Sequence, residues 1–516
     1  MAIRTHFRVG LITLWLTIGF ARADEPRDPL AGFDDYVLAA LADFRTPGLA
    51  LAIVKDGNVV LARGYGSCRL SEDRPVNAET IFPIASITKV FTATCLAQLV
   101  DEGRLKWSDP VFKHLPEFTL YDPHLTKEVR IDDLLSHRVG LETADLVAFR
   151  GDYDRAEILR RMRYMQPVSP FRSRFGYHNH MLTTAGEVLE RISGQPWAMV
   201  LRTRVLKPLG MSATFASPRE LKGRENVSTP HVLAEGKVIA DPAWNRESAH
   251  EGFARLHDAV APAGAIQSNV VDMARFLQMI LAEGTLDGQL LLKPDTVRTM
   301  LAQHSAAPIK AVPNSLPVAP RIYYGGGLGW QLRDLRGRKI AMHTGSSGAI
   351  VAIMPEEQIA IAVLANRSSG IEFMLMHDIF ARVLDLPRAM TNREWLVEAD
   401  ETPAKNSAAK IARLNAARQL GTNPSLPLGQ YVGTFECDLY GKLNILERDG
   451  SLQLQFGPNI EGELTHWERD TFSANLSFPV GEKWLIRFQV ADGRVDRLRI
   501  ERIFWHELMP EFVRTE

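Results

Sequence analysis

The chain is poor in cysteine: Cys68, Cys95 and Cys437 are the only three in 516 residues. An odd, scattered set makes no disulfide framework, so the fold must rest on apolar packing. Excess charge is also missing. Lys and Arg number 60 against 61 Asp and Glu, a net charge of -1. That excludes a broad electrostatic affinity for nucleic acid or an anionic membrane surface. No stretch approaches the roughly 18 apolar residues of a membrane-spanning helix. No grouping of His, Cys and Asp has metal-ligand spacing, so no metal or cofactor is expected. What is present is ordinary for a globular protein: 46% hydrophobic and 23% charged residues. The length allows more than one domain.

Residues 1–23 read as a secretory signal peptide. Arg4 and Arg8 precede a short apolar core, Val9 to Phe20, and Ala21-Arg22-Ala23 is a small-x-small cleavage site. An exported protein, periplasmic or extracellular, is expected, with an uncleaved anchor as the alternative. The expected partner is a small-molecule or peptide substrate. No nucleic acid and no membrane span after signal cleavage are expected, and the oligomeric state is open.

The chain is organised around residues 81–102, which read as a buried helix closed by Gly103. From Val90 to Val100 only Thr92, Thr94 and Gln98 are neither apolar nor very small. A helix apolar nearly all round is a buried one. Lys89 at its head is the anomaly, because a lysine that loses hydration has a lowered pKa. Ser86 stands three residues before it, on the same face. A serine needs an adjacent base to become a nucleophile, and Ser-x-x-Lys on a helix start supplies both. The plainer alternative is an N-cap serine beside a snorkelling lysine. A second Ser-x-x-Lys, Ser407 to Lys410, lies in a polar Ala/Lys-rich stretch and carries no such meaning.

Around this helix the sequence predicts strands early and late. Leu49 to Val54 and Val59 to Tyr65 flank Asp56-Gly57, a hairpin signal. A strand with a small-residue turn runs over 339–348, and a hairpin follows over 349–364. Helices are expected over 131–140, 154–165, 183–192, 196–210, 270–283 and 370–385. A polar region, 215–260, has little periodicity and could shape a substrate cleft. Tyr177-x-Asn179 lies in a loop before the 183–192 helix. If extended, it points both side chains one way. The fold class expected is α+β, one antiparallel sheet flanked by helices. Residues 24–385 form the catalytic domain and 386–426 a partly helical linker. Residues 427–516 alternate apolar and polar with Asp-Gly turns, a small antiparallel barrel or sandwich.

Three motifs now stand in order: Ser86-x-x-Lys89, Tyr177-x-Asn179 and His343-Thr344-Gly345. Together with Leu134 to Leu141, Pro262 to Ser268 and Gly327-Leu-Gly-Trp330, they resemble the serine β-lactamase and penicillin-binding superfamily. The branch is that of class C β-lactamases, D-Ala-D-Ala carboxypeptidases, D-aminopeptidases and related esterases. The C-terminal part resembles the lipocalin-like β domain of some of these hydrolases. The resemblance implies that Ser86 forms an acyl-enzyme and that Lys89 and Tyr177 share the base work. It implies an oxyanion hole from the Ser86 and Ser346 backbone amides, and substrate binding by Asn179, His343, Thr344 and Gly345.

A free phenol ionises near pH 10, so ionising Tyr177 at pH 7 costs about 4 kcal/mol. One ammonium about 4 Å away offsets about that much at an effective dielectric of 20. Lys89 alone could therefore roughly offset that cost, and the two groups would titrate as a pair, with no proton assigned to one alone. His343 departs from the Lys-Thr-Gly of β-lactamases. A histidine is mostly neutral at pH 7, so carboxylate anchoring should be weak. The reading is an exported serine hydrolase acting on an amide or ester, in a D-amino-acid-containing peptide or a small ester. The alternatives are a true class C-like β-lactamase and a non-hydrolytic penicillin-binding or scaffold homologue.

Overall fold

The computed structural model describes residues 28–234, 236–244, 251–308, 322–387, 391–478, 482–502 and 509–515. The signal-like residues 1–23 lie outside them. Among the described residues no helix is long and apolar enough to cross a membrane.

The first unit is one eight-stranded sheet between two helical layers. Gly48–Lys55 lies between Asn58–Gly66 and Ile359–Ala365. Beyond it follow, in order, Ala349–Met354, Arg338–Gly345, Gln331–Leu335, Tyr324–Gly326 and Ser305–Ala306. The paired registers in this sheet are all antiparallel. Strand side chains alternate between faces, and here both faces are covered. Leu49, Leu51 and Ile53 pack with helices Phe33–Asp43 and Ile371–Val383. Ala50, Ala52 and Val54 face the other way, against helices Thr88–Asp101 and Val270–Leu281. This second face is rich in alanine (Ala341, Ala349, Ala360 and Ala362 as well). Small side chains let those two helices lie close to the sheet.

Several expected elements differ in extent. The 131–140 helix is only Ile131–Leu135. The chain then turns through His137 at φ 55°, a left-handed conformation uncommon for any residue but glycine. The 196–210 helix is Trp197–Leu201 followed by a π-helical turn, Arg202–Leu206. The polar 215–260 region holds a hairpin, His231–Ala234 with Lys237–Ala240, and a helix, Glu251–Ala259. In the linker region a 26-residue helix, Asn392–Ala417, begins at a Thr391/Glu394 capping box. Lys410, of the second Ser-x-x-Lys, donates to the Arg502 carbonyl at 2.5 Å, which occupies it structurally.

The C-terminal unit is a closed antiparallel barrel of eight strands, from Gly433–Cys437 to Phe512–Arg514. Closure removes exposed strand edges. Its inward residues, including Tyr431, Phe435, Tyr440, Phe456, Trp484 and Phe488, are large and buried. The barrel docks on the segment 149–161. Arg150, 4% exposed, donates Nη1 to the carbonyls of Tyr440 and Lys442 and is held by Asp152 at 2.5 Å. Arg161 Nη1 donates to the Asp438 carbonyl at 2.6 Å, and Asn459 Nδ2 to that of Phe149 at 3.0 Å. Phe478 meets Phe149 and Phe253 edge-on.

Arg150→Ala removes charged hydrogen bonds worth about 1.5–3 kcal/mol each. We expect it to separate the melting of barrel and sheet domain, and to speed proteolytic cutting between residues 386 and 426. An unchanged melting curve and digest would show that the dock does not depend on Arg150.

Candidate active site

The sequence predicts an unbroken helix from residue 81. The chain instead makes a short bridge, Phe82–Pro83 with Gln267–Ser268, and a 3-10 turn, Ala85–Ile87. The α-helix then runs Thr88–Asp101. Ala85 takes φ 45°, a conformation that costs a non-glycine residue about 1–2 kcal/mol. In a 3-10 turn residues three apart eclipse, so Ser86 and Lys89 still meet. From Ile81 to Ala97, Ser86 is the one residue that is not buried. Its Oγ lies 2.9 Å from Lys89 Nζ.

Lys89 is 0% exposed, and its Nζ also donates to the Ala263 carbonyl at 2.7 Å. Burial lowers its pKa to about 7, with Asp145 pulling weakly the other way. The amine is therefore about half neutral at pH 7. The short helix Ala261–Gly264 and the two residues after it clasp the helix head at several points. Thr92 Oγ1 donates to the Pro262 carbonyl at 2.7 Å, and Trp197 Nε1 to Thr92 Oγ1 at 3.0 Å. The Ile266 amide donates to Thr88 Oγ1 at 3.1 Å. Gly329 in the Gly-rich loop closes the other side. A Cβ there would sit 2.6 Å from Ala93 Cβ and 3.1 Å from the Lys89 carbonyl.

Tyr177 brings its ring over Lys89, with Nζ 5.0 Å from the centroid, and its hydroxyl interacts with Ser86. In the folded site Lys89 does not offset the cost of ionising Tyr177. Burial pushes the phenol well above its ordinary value, and the nearby carboxylate of Asp145 adds to that. Tyr177 is a phenol in this site. Asn179 is the first residue of the Asn179–Ser193 helix, not the end of an extended tripeptide. It nevertheless shares a cavity wall with Tyr177. Its Nδ2 donates to Asp145 Oδ1 at 3.0 Å.

The strand Arg338–Gly345 delivers the third motif. Gly345 abuts the nucleophile turn so closely that a Cβ would lie 2.3 Å from the Ile84 carbonyl oxygen. Ser347 Oγ donates to the Pro83 carbonyl at 2.6 Å, tying the two turns together. Among the described residues, neither the Ser86 nor the Ser346 backbone N–H enters a turn or loop hydrogen bond. Thr344, Gly345 and Ser346 all line the cavity with Ser86.

His343 is a correction. It is 1% exposed and does not line the cavity. Its ring lies 6.1 Å from that of Tyr177, and Nδ1 is bonded to the Thr344 carbonyl at 2.9 Å. Burial, and then the charge of Lys89, lower its pKa to about 3. It is neutral and stands behind Tyr177 rather than against a substrate. His178 and His180, on either side of Asn179, are both buried.

The cavity holds about 570 Å³. Its walls include Asp145, Phe149, Trp244, His257 and Glu372, none of which the sequence reading singled out. His137 was missed too; its ring lies 4.7 Å from that of Tyr177, and Nδ1 accepts from the His178 amide at 3.1 Å. Its place in Leu-Ser-His-Arg-Val-Gly, a stretch noted for resemblance alone, was the available signal. Among the described residues no group of His, Cys, Asp and Glu could hold a metal ion.

A serine beside a half-neutral buried lysine and a tyrosine, at the head of a buried helix under a sheet edge, defines a class: serine hydrolases of the β-lactamase and transpeptidase type. The chain belongs to the Beta-lactamase family, whose description it matches over residues 33–385. Residues 417–513 match a domain of unknown function, DUF3471. The chain is 28% identical over 452 residues to Unguisins hydrolase ungD' of Aspergillus campestris, covering 83% of this chain and 79% of that protein. It is 28% identical to Penicillin-binding protein 4 of Amycolatopsis lactamdurans, covering 67% and 87%. It is 25% identical to D-alanyl-D-alanine-carboxypeptidase/endopeptidase AmpH of Escherichia coli K12, covering 64% and 82%. Among solved structures, the octameric penicillin-binding protein homologue from Pyrococcus abyssi superposes with a TM-score of 0.59 at 21% identity. That match covers 94% of this chain and all of the other, 100%.

Lys89 gives a stability prediction. Its folded pKa lies below its unfolded value, about 7 against 10.5. Between those values the unfolded chain holds the extra proton, so this group makes stability rise with pH, and below pH 7 its penalty is complete. Lys89→Met should therefore raise the melting temperature of the sheet domain, by about 2–5 °C at pH 6 and by less at pH 9. An equal gain at both pH values would show that Lys89 is not held partly neutral.

Proposed function

We propose that the chain is an exported serine hydrolase that cleaves an amide or ester, in a D-amino-acid-containing peptide or a small ester, through an acyl-enzyme on Ser86. One observation carries this reading: the Ser86 Oγ stands 2.9 Å from a lysine whose amine burial has brought to about pH 7. A general base works best with a pKa near the operating pH. Neutral Lys89 takes the Ser86 proton as Oγ attacks the carbonyl carbon. The oxyanion that forms is met by the Ser86 and Ser346 amides, donors fixed in place before reaction. Tyr177, a phenol in contact with Ser86, passes a proton to the leaving group and is reprotonated from Lys89. Water then releases the acyl group by the reverse sequence. Lys89 and Tyr177 titrate as a pair in such an exchange.

Asn179 and the Thr344–Gly345 edge are the groups that would hold the substrate. Relatives named carboxypeptidase/endopeptidase and amidase support amide cleavage. The signal-like leader supports export. A β-lactamase reading is weaker. Its carboxylate anchor would fall to His343, which is neutral and away from the cavity surface.

The test is labelling by a fluorophosphonate probe, with turnover of a p-nitrophenyl ester and of a chromogenic cephalosporin. Wild-type chain should be labelled on Ser86 and hydrolyse the ester, with little cephalosporin turnover. Ser86→Ala should lose labelling and at least 10³-fold of the turnover, about 4 kcal/mol. The ester kcat/KM should rise with pH through a limb near pH 7 as Lys89 loses its proton. Turnover that survives Ser86→Ala would sink the assignment.

A further inference from the structure

Tyr177 has to hold its hydroxyl at one point, beside Ser86, yet residues 168–178 enter no helix or strand. Loops are the more mobile parts of a fold, so this one needs an anchor. His137 is that anchor. The Gly176 amide donates to the His137 carbonyl at 2.6 Å. The His178 amide donates to the His137 ring at Nδ1, at 3.1 Å. The N–H groups of the residues on either side of Tyr177 thus both end on one residue. The Tyr177 ring lies 4.7 Å from the same imidazole, tilted by 35°, and Phe175 meets that imidazole edge-on at 5.4 Å. His137 itself turns at φ 55°, with its carbonyl and its ring both meeting the 176–178 segment.

The anchor is held in turn. Asp133, fully buried, accepts from Arg138 Nε at 2.5 Å and from Arg172 Nη2 at 2.7 Å. The Arg172 amide donates to the Arg138 carbonyl at 2.9 Å. One carboxylate therefore ties the residue after His137 to the loop that carries Tyr177. His343, the other imidazole near Tyr177, does not share this work. Its Nδ1 is bonded to the Thr344 carbonyl, and its Nε2 has no partner among the described residues.

The bond from His178 also fixes the protonation of His137. A backbone N–H only donates, so Nδ1 is bare and the neutral ring carries its proton on Nε2. Burial, and then the charge of Lys89, hold the imidazole well below its ordinary pKa. A charged ring would lose the His178 amide and set a second cation near Lys89.

Resting on the hydrolase reading above, we infer that His137 is the positioning residue of the general acid: by accepting the amides that flank Tyr177, it sets the phenol where its proton reaches the leaving group. His137 is buried and does not line the cavity, so it acts through Tyr177. The consequence is selective. An alkoxide leaves only with a proton, whereas a nitrophenolate leaves without one. Proton transfer by a placed group is worth about 10²–10⁴-fold, and a misplacement of about 1 Å can cost 10²-fold.

The test compares kcat/KM, which covers the steps up to loss of the leaving group, for ethyl acetate and p-nitrophenyl acetate. His137→Leu removes the ring acceptor. We expect it to lower the ethyl ester at least 10-fold more than the nitrophenyl ester. His137→Gln, a polar change that moves the acceptor away from the Nδ1 position, should show the same bias and serves if the leucine variant does not fold. His137→Asn puts Oδ1 near the place of Nδ1 and tolerates the left-handed backbone. It should keep the ratio of the two esters within about 3-fold of wild type. Tyr177→Phe should show the bias too, and adding His137→Leu to it should not enlarge it. Equal losses on both esters, or an asparagine variant as biased as the leucine one at an unchanged melting curve, overturn the inference. Fluorophosphonate labelling of wild-type Ser86 separates the two readings. A labelled chain whose His137 variants show no bias rejects the positioning role alone. A chain that is not labelled and turns over neither ester rejects the hydrolytic reading and the positioning role with it.

Discussion

The structure depends on keeping one lysine out of water. Lys89 is fully buried at the head of a helix that is itself buried, and the cost of its charge there is about 5 kcal/mol from its displaced pKa. That cost is what brings its amine to a pKa of about 7, where the proposed base role needs it. It is tolerable only because the amine has partners, the Ala263 carbonyl and the Ser86 hydroxyl, at 2.7 and 2.9 Å. The surrounding architecture then follows as a set of requirements. The sheet face under the helix is alanine-rich, so the helix can sit deep. Gly329 admits the Gly-rich loop against the Lys89 turn. The short Ala261–Gly264 helix supplies the acceptor.

A buried base is useful only if the nucleophile beside it is not buried. The local backbone achieves this by breaking the helix early. The left-handed Ala85 and the 3-10 turn bring Ser86 to the cavity while Lys89 stays inside. Gly345 and Ser347 fix the sheet edge against that same turn. The two amides that would meet an oxyanion are therefore held by one rigid junction between strand and helix. Strain at such a junction is common at functional sites and is sustained by the structure around it.

One short segment links the barrel to the site. Asp145, the Leu146–Phe149 helix and Arg150 are consecutive. The first bonds Asn179, the last residue of the helix lines the cavity, and the arginine anchors the barrel. Phe478 of the barrel abuts Phe149. Barrel and cavity thus share a wall. The barrel's interior is filled with large buried side chains.

Much was legible without coordinates where the chemistry is local. Ser86 and Lys89 are three apart, and helical or 3-10 geometry alone brings them together. Alternation and Asp-Gly turns announced the strands, and early and late strands around a run of helices announced one sheet flanked by helices. The protonation of the site was not legible. Tyr177 stays a phenol and His343 stays neutral because of burial, which depends on what packs from other parts of the chain. Asp145 and Glu372 are 227 positions apart by their numbers in the chain, and no pattern links them; only folding brings both to the cavity wall. The sequence by itself determined which groups could react, because covalent spacing fixes near neighbours. Tertiary structure decided their charge and which side chains face the substrate, because desolvation and long-range proximity exist only once the chain is folded.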